Sequence, residues 1–355
     1  MNVIFRADAN YNIGIGHIMR CLSIADSCSA KNYCVKFIIA GHDAESLIKN
    51  RGYEVEVLSS DYSQMDDELN LWSNTNHPDI IVIDSYFVTS SYFLKVKKTY
   101  KCPIVYIDDL YSHPYPVDIL INYNAYGLEL DYDKLYSSAG IKCPQLILGP
   151  TFAPLRQMFK GLQQKKQKNK IEHILISTGG SDEFHLALTF VETVLKQDSL
   201  NYTYHILLGA LNQDKQKIRA KIGNNKNIIL HENVSDMKTL IQSMDIVVSA
   251  AGSTLYEICA CGTPLITYIL ADNQIPGAKA FDKYGLALNI GDIRDETSKK
   301  DRALSGLRAD AISIILNTIS NLSNNFELRK KMAIQMQKTI DGFGADRIAD
   351  ALGKY

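Results

Sequence analysis

Short apolar runs alternate with amphipathic stretches along the first half of the chain. Residues 35–40, 80–84 and 104–108 are almost continuously apolar and rich in β-branched side chains. Such runs are typical of strands covered on both faces, as in a parallel sheet flanked by helices. A buried helix segment is the alternative for any single run, but the length and the repetition of the runs favour strands.

The second half of the chain repeats this plan. Residues 173–177, 204–209, 245–249 and 264–268 are again short apolar runs separated by helical stretches. A length of 355 residues also suits two domains better than one. The pattern predicts an α/β protein with two doubly wound, Rossmann-like domains that face a cleft at the carboxyl ends of their strands.

A polar segment separates the two halves. Residues 160–170 are rich in lysine and lack apolar periodicity, which predicts a linker at residues 159–170. The linker would join an N-terminal domain of residues 1–158 to a C-terminal domain of residues 171–355. A nucleic-acid-binding tract is the alternative, but no aromatic residues are interleaved with the lysines.

Charge and composition exclude several classes of protein. The formal net charge is −1, which argues against nucleic acid as a partner. Residues 1–150 carry a balance of −6 and residues 151–355 a balance of +5, so an anionic ligand would fit better on the second half. No apolar run approaches the about 20 residues that span a bilayer, and the seven cysteines show no Cys-x-x-Cys spacing. We expect a cytoplasmic protein with no membrane insertion, secretion signal, disulfide framework or metal.

Candidate chemistry begins after the first strand, where Asp8 and then Gly14, Gly16 and His17 precede a helix. The glycines let the backbone turn tightly and approach a ligand, and the helix N-terminus offers free N–H groups. Its positive potential favours the neutral imidazole, as a general base requires. The alternative is that His17 only bonds backbone at the helix start. Met19 replaces the third glycine of a dinucleotide fingerprint, so a nicotinamide cofactor is not indicated.

A second candidate site follows the strand at residues 245–249. The small residues after this strand predict a turn. Ser253 and Thr254 would then start a helix, and the N–H groups and hydroxyls at that start suit a diphosphate. Glu257 lies one turn further and could accept both hydroxyls of a ribose. A capping box from Thr254 to Glu257 fits the same spacing equally well.

Two further loops follow strands of the second half. The loop that holds Gly180, Ser181 and Asp182 is another possible anion cradle. Asn273 and Gln274 could reach a sugar or a phosphate through their amides, although a plain helix N-cap is the alternative for this segment.

Adjacent Asp108 and Asp109 suggest a paired-carboxylate site at the end of a strand. A retaining glycosidase needs carboxylates about 5 Å apart that face one sugar, whereas neighbours on a strand face opposite ways. A structural or positioning role is therefore the preferred interpretation.

The ordered set of motifs resembles the nucleotide-sugar hydrolases of pseudaminic acid biosynthesis and, among their relatives, two-domain glycosyltransferases of the GT-B type. The matching residues span most of the chain. They are Arg6, Asp8, 14–17, Arg20, 84–86, 108–109, Asp118, 122–124, 148–150, Leu155, Arg156, 179–182, Ser253, Thr254, Glu257, Asn273 and Gln274. Pro154 and His185 depart from the pattern of these relatives.

The resemblance implies an enzyme that hydrolyses a UDP-linked 2,4-diacetamido-2,4,6-trideoxyhexose to UDP and the free sugar. It implies cleavage between the anomeric carbon and oxygen, with inversion and without a metal or cofactor. His17 would activate water, and Tyr86 and Asn273 would position the sugar. From its place at the end of the first strand, we expect Asp8 to orient His17.

The resemblance also implies the substrate contacts. The C-terminal domain would bind UDP, with residues 179–182 (Gly180, Ser181 and Asp182 among them), Ser253 and Thr254 on the diphosphate and Glu257 on the ribose. Further substrate contacts are expected from Gly14, Gly16, Arg156 and Gln274, and the enzyme is expected to act as a monomer.

Two other functions remain open at this point. A glycosyltransferase on the same scaffold would use a UDP-sugar donor and would need an acceptor site in the first domain, where the acidic balance argues against a lipid. A regulator that binds a UDP-sugar without turnover is the third possibility.

Overall fold

The strands of the first unit form one parallel sheet. The computed structural model describes residues 1–10, 13–72, 77–197, 201–300 and 306–355. The strands are β1 (Asn2–Ala7), β2 (Cys34–Ala40), β3 (Glu54–Leu58), β4 (Ile80–Asp84), β5 (Ile104–Ile107), β6 (Ile119–Asn122) and β7 (Gln145–Leu148). Within these described ranges the seven strands pair in parallel in the order β3-β2-β1-β4-β5-β6-β7. All five residues of β4 are buried, as expected of a strand covered on both faces.

Helices connect these strands. They are α1 (Gly16–Ser29), α2 (Glu45–Asn50), α3 (Ser90–Tyr100) and α4 (Tyr132–Ser138), with short 3₁₀ helices at Met65–Leu71, Ala125–Glu129, Pro150–Phe152 and Gln157–Phe159. In α3 the Thr89 hydroxyl caps the N-terminus by accepting from the Tyr92 N–H at 3.0 Å. Tyr92, Phe93 and Val96 lie at helical spacing on the buried side, so this face packs into the core.

The second unit repeats the arrangement. Its strands are β8 (His173–Ser177), β9 (Thr203–Leu208), β10 (Ile228–Glu232), β11 (Ile246–Ala250), β12 (Leu265–Ile269) and β13 (Leu288–Asp292). In the described part of the chain they form a six-stranded parallel sheet in the order β10-β9-β8-β11-β12-β13. Its helices are α5 (Leu186–Val194), α6 (Lys215–Ile222), α7 (Met237–Ser243), α8 (Thr254–Cys261), α9 (Ile275–Lys283), α10 (Glu296–Lys300), α11 (Ala311–Ser323) and α12 (Phe326–Thr339). The predicted class, two doubly wound parallel α/β domains, is confirmed.

The order of strands reverses once in each sheet, and that point is where such folds bind ligands. In the first sheet the reversal lies between β1 and β4, where Ala7 is paired with Asp84. In the second sheet it lies between β8 and β11, where Ser177 is paired with Ser249. The loops that follow these strands hold most of the residues singled out in the sequence.

The C-terminal segment packs on the first unit, not on the second as predicted. The first unit comprises Met1–Lys160 and Gly342–Tyr355, and the second comprises Gly161–Asp341. The last helix, α13 (Gly344–Leu352), contacts α1. Close backbone approach requires glycine here, because a Cβ at position 344 would overlap the carbonyl oxygen of Ala153. The boundary at residues 171–355 is corrected accordingly.

The lysine-rich segment is attached to the second unit instead of running free as a linker. The ammonium group of Lys165 donates to the Gln242 carbonyl at 2.9 Å and to the Thr263 hydroxyl at 2.8 Å, and it also contacts the carbonyl of Met244. The two carbonyls lie at and just after the C-terminal end of α7, whose last carbonyls have no partner within the helix. Burial lowers the pKa of Lys165 to about 8.

Replacement of Lys165 by methionine is expected to destabilise the second unit by about 2 kcal/mol at pH 7, because buried carbonyls lose their donor. Unfolded lysine has the higher pKa, so the unfolded chain binds more protons between pH 8 and 10.5, and the contribution of Lys165 to stability rises with pH across that window. Urea unfolding of both proteins from pH 7 to 10.5 measures the difference. The exposed neighbour Lys166→Met is the control; an equal loss in both variants would contradict the assignment.

Candidate active site

A histidine and an aspartate meet at the point where the first sheet reverses its strand order. His17 lies in the first turn of α1, after β1, and Asp84 is the last residue of β4. The His17 Nδ1 and the Asp84 Oδ1 are 2.6 Å apart, and the two side chains are 7% and 1% exposed. Parallel pairing of β1 with β4 brings together these two residues, which are 67 positions apart in sequence.

The state of Asp84 determines the tautomer of His17. Burial alone would raise the pKa of Asp84, but the charge of Arg20 and the contact with His17 outweigh it and hold that pKa well below its usual range. An ionised carboxylate only accepts hydrogen bonds, so the His17 Nδ1 carries the proton and donates. In the neutral form of the ring the lone pair then lies on Nε2, which is the atom that a general base needs.

Asp8 does not take the orienting position expected from the sequence. Its Oδ2 accepts from the Arg6 guanidinium at 2.6 Å, and its Oδ1 accepts from the Ala40 N–H at 2.6 Å. Arg6 is fully buried and also donates two bonds to Glu68, each at 2.7 Å, so it needs both carboxylates as counter-charges. Burial raises the pKa of Asp8, and Arg6 opposes that shift. Asp84 is therefore the residue that orients His17.

A small pocket that is partly open to solvent lies beside this pair, and its empty space, open solvent included, is about 180 Å³. It is lined by Asp8, Ile13, His17, Asp84, Ser85, Tyr86 and Phe87. Gly14 and Gly16 lie in sequence between two of its lining residues, Ile13 and His17. Gly14 has a φ of +71°, which favours glycine, and its N–H donates to the Asn10 carbonyl at 2.8 Å, closing the turn ahead of α1.

Tyr86 packs against the His17 ring. The two ring centroids are 4.5 Å apart in an edge-on arrangement, and the Tyr86 side of the pocket remains accessible because this residue is 42% exposed. Its hydroxyl donates to the Asp109 Oδ2 at 3.1 Å. The expectation that Tyr86 positions the sugar stays a prediction.

Arg20 connects the two aspartates. Its Nε and Nη2 donate to the two oxygens of Asp84 at 2.6 and 2.5 Å, and its Nη1 donates to the Asp109 Oδ2 at 2.6 Å. The same Nη1 donates to the Tyr123 hydroxyl at 3.0 Å. Nη2 also lies 3.1 Å from the His17 Nδ1, because both donors converge on one oxygen of Asp84.

Asp108 and Asp109 have different partners, which supports the positioning interpretation over a catalytic carboxylate pair. Asp108 Oδ1 accepts from the N–H groups of Leu110 and Tyr111 at 2.9 and 3.1 Å, and its Oδ2 accepts from the Tyr132 hydroxyl at 2.7 Å. It therefore holds its own loop. Asp109 instead faces Arg20.

In the second unit, the loop after β8 combines an exposed turn with a buried cap. Gly179 has a φ of +85°, and both it and Gly180 are exposed. Asp182 is 5% exposed and caps α5, because its oxygens accept from the N–H groups of Leu186 and Ala187, each at 3.0 Å. Burial raises its pKa to about 6. Asp182 is thus engaged in structure, and the exposed Gly180 turn with the half-buried Ser181 is what the loop offers to a ligand.

The loop after β11 ends at the N-terminus of α8. The helix begins at Thr254, with Ser253 at the N-cap, and within the described residues the Ser253 side chain makes no capping hydrogen bond. Ser253, not Thr254, is thus the N-cap residue of α8. Gly252 and Ser253 are exposed, and Glu257 is half-buried one turn into the helix. This helix start is available to an anion.

The loop after β12 carries Asn273 and Gln274 in a 3₁₀ helix at Asp272–Gln274. The Gln274 Oε1 accepts from the Leu270 N–H at 2.8 Å, so Gln274 has a structural bond in addition to any ligand contact. Arg294, which is 5% exposed, donates to Asp272 at 2.7 Å and thereby fixes the turn that presents Asn273. Sequence reasoning missed Arg294, and its only signal was an arginine just beyond a strand.

Arg156 is not among the residues that line the His17 pocket. It precedes the 3₁₀ helix Gln157–Phe159, and its guanidinium stacks over the Phe159 ring at 5.2 Å from the centroid. The ranges that the structure describes contain no cluster of three or more His, Cys, Asp or Glu side chains able to hold a metal ion. None of the helices in those ranges is long and apolar enough to cross a membrane.

Known proteins are similar to this chain in sequence. The UDP-2,4-diacetamido-2,4,6-trideoxy-β-L-altropyranose hydrolase of Campylobacter jejuni is 28% identical over 71% of this chain and 85% of its own length. Spore coat polysaccharide biosynthesis protein SpsG of Bacillus subtilis is 21% identical over 99% of this chain and 98% of its own length. An uncharacterized protein of Methanocaldococcus jannaschii is 23% identical over 80% of this chain, and the match spans only 58% of that relative.

Solved structures share the fold over essentially the whole chain. The calicheamicin glycosyltransferase CalG4 superposes with a TM-score of 0.64 at 14% identity, covering 99% of this chain and 98% of the other. The UDP-GlcNAc 2-epimerase of Neisseria meningitidis, solved with UDP-GlcNAc bound, gives a TM-score of 0.61 at 17% identity and covers all of both chains. Residues 173–321 match the glycosyltransferase family 28 C-terminal domain. The resemblance stated from the sequence is confirmed: this chain is a homologue of proteins named UDP-2,4-diacetamido-2,4,6-trideoxy-β-L-altropyranose hydrolase, with two parallel-sheet α/β domains of the GT-B type.

Proposed function

We propose that this protein processes nucleotide sugars and, specifically, hydrolyses a UDP-linked 2,4-diacetamido-2,4,6-trideoxyhexose (UDP-6-deoxy-AltdiNAc) to UDP and the free sugar. The observation that carries the proposal is the buried His17–Asp84 pair, which leaves the His17 Nε2 with its lone pair beside a pocket. The similarity to hydrolases of pseudaminic acid biosynthesis in Campylobacter jejuni and Helicobacter pylori supports the choice of substrate class.

The reaction begins with proton transfer from water to the His17 Nε2. The water oxygen forms a bond to the anomeric carbon while the bond from that carbon to the UDP oxygen breaks, and UDP leaves with the electron pair. The imidazolium that results is stabilised by Asp84. Attack on the face opposite to the leaving group inverts the anomeric configuration, and Tyr86 and Asn273 would position the sugar for it.

We assign UDP to the second unit. The exposed turn at Gly180, with the half-buried Ser181 beside it, and the start of α8 at Ser253 and Thr254 follow the adjacent strands β8 and β11. Backbone N–H groups and hydroxyls at such positions stabilise the charge of a diphosphate, both when bound and as a leaving group. Glu257 would accept the ribose hydroxyls.

A glycosyltransferase is the second candidate, and the match to the glycosyltransferase family 28 C-terminal domain favours it. The same base would then deprotonate an acceptor hydroxyl in place of water. The two functions differ in one requirement, since a hydrolase needs no acceptor.

The deciding experiment is proton NMR of candidate UDP-diacetamido-trideoxyhexoses incubated with the protein alone. We expect UDP and free sugar to form together, with the first anomer observed being the inverted one. Turnover that appears only after an acceptor is added would establish the transferase. UDP binding without turnover of any candidate would contradict both and favour a regulator.

A further inference from the structure

The carboxylate of Asp109 serves two residues of the proposed site at once. Its Oδ2 accepts from the Arg20 Nη1 at 2.6 Å and from the Tyr86 hydroxyl at 3.1 Å, while its Oδ1 accepts from the Asn124 amide at 2.9 Å. The side chain is 14% exposed. Asp109 thus binds both Arg20, whose guanidinium donates to Asp84, and Tyr86, whose ring packs edge-on against His17.

His17, Arg20, Asp84 and Asp109 form a cluster of charged groups. Their charges sum to zero only when the His17 ring is protonated. Asp84 and Asp109 contribute two negative charges and Arg20 one positive charge, which leaves one negative charge for an imidazolium. Arg20 is 9% exposed, so these charges interact with little screening by solvent. Without Asp109, Arg20 would neutralise Asp84 and remove the counter-charge that the protonated ring needs.

The other charged and titratable groups around the cluster are matched elsewhere. Asp8, from the loop after β1, is paired with Arg6. Asp108, next to Asp109, accepts from two backbone N–H groups and a tyrosine hydroxyl. The remaining neighbours are neutral at pH 7, because burial raises the pKa of each of them: Cys21 on α1, Tyr86 after β4, and Tyr123 and Tyr126 after β6.

We propose that Asp109 is a positioning residue of this site. By pairing with Arg20 it keeps the charge of Asp84 available to the His17 imidazolium. Through Tyr86, which packs against His17, it fixes the orientation of the His17 ring. The catalytic role of Asp109 rests on the proposed function, but the coupling between Asp109 and His17 is a property of the folded protein. It therefore has a test that requires no turnover.

The test is an NMR titration of protein labelled with ¹⁵N in its histidines, with the His17 signal assigned from its loss in His17→Gln. In Asp109→Asn, which keeps the shape of the side chain but loses its charge, the protonation midpoint of the His17 ring is expected to fall by about 0.5–1.5 pH units. In Arg20→Gln the midpoint is expected to rise, because a positive charge is removed. Tyr86→Phe removes a hydroxyl but no charge and is expected to leave the midpoint within about 0.3 pH units.

An unchanged midpoint in a folded Asp109→Asn protein, or shifts of the same sign in Asp109→Asn and Arg20→Gln, would overturn the proposal. Should Arg20→Gln not fold, the sign of the shift in Asp109→Asn still decides; should Asp109→Asn not fold, Asp109→Ser, which also removes the charge, takes its place. Kinetics then connect the coupling to function: in Asp109→Asn the acid limb of kcat against pH should move down by the same amount, with kcat about 10-fold lower. Absence of turnover in wild type as well would refute the proposed function and leave the titration result standing.

Discussion

Replacement of His17 by glutamine is expected to lower kcat for the UDP-sugar by about 10²–10⁴-fold and to leave the affinity for UDP within about 2-fold of wild type. Glutamine preserves much of the size and polarity of the side chain but cannot take a proton from water. UDP is assigned to the other unit, so its binding does not depend on the ring. Stopped assays of UDP release, together with calorimetric titration of UDP, measure the two quantities.

Thr254→Val is the matched counterpart of that variant. It keeps the shape of the side chain at the start of α8 but removes the hydroxyl assigned to the diphosphate, so we expect UDP binding to weaken by about 10-fold. The pair of variants thus separates binding from chemistry. Turnover near wild type in His17→Gln would refute the base assignment, and unaltered UDP affinity in Thr254→Val would refute the assignment of the diphosphate to this helix start.

The sequence predicted correctly that the loops of the candidate site follow strands. Buried strands can be recognised as apolar runs. In doubly wound sheets, ligands bind beside the loops that follow the strands at the point where the strand order reverses. His17, Gly180, Ser253 and Asn273 could therefore be located from local pattern alone. Gly180, Ser253 and Asn273 lie three or four residues after the strands that precede them, and His17 lies ten residues after β1.

Partners distant in sequence could not be predicted in the same way. Asp84 orients His17 because β4 pairs with β1, and nothing in the residues around either of them specifies that pairing. Asp8 was the expectation because it lies at the end of the first strand, but its carboxylate is paired with the fully buried Arg6. The capping of α5 by Asp182 was also hidden, because an aspartate before a helix can bind either a ligand or the helix itself.

The limits of the units were mispredicted for a related reason. Residues 160–170 have the composition of a solvated linker, yet Lys165 satisfies the carbonyls at the end of α7. The last helix follows the second unit in sequence but packs on the first, through glycines that allow close backbone contact at positions 342 and 344. Composition describes the average environment of a segment, whereas these placements depend on single side chains and single glycines.

Replacement of Asp84 by asparagine is expected to lower kcat by about 10³–10⁴-fold, a loss as large as that of the base itself. The asparagine amide can donate to the His17 Nδ1, which then accepts, so the proton moves to Nε2 and no lone pair remains where water must be deprotonated. The ¹⁵N shifts of the His17 ring report the tautomer directly. Asp109→Asn is the control, because it also removes a carboxylate from Arg20 but leaves the bond between His17 and Asp84 in place, and it should keep the Nδ1–H tautomer. Two results would contradict this expectation: an Nδ1–H tautomer in Asp84→Asn, or turnover of that variant at the wild-type rate. Either would show that Asp84 does not determine the state of a base at the His17 Nε2.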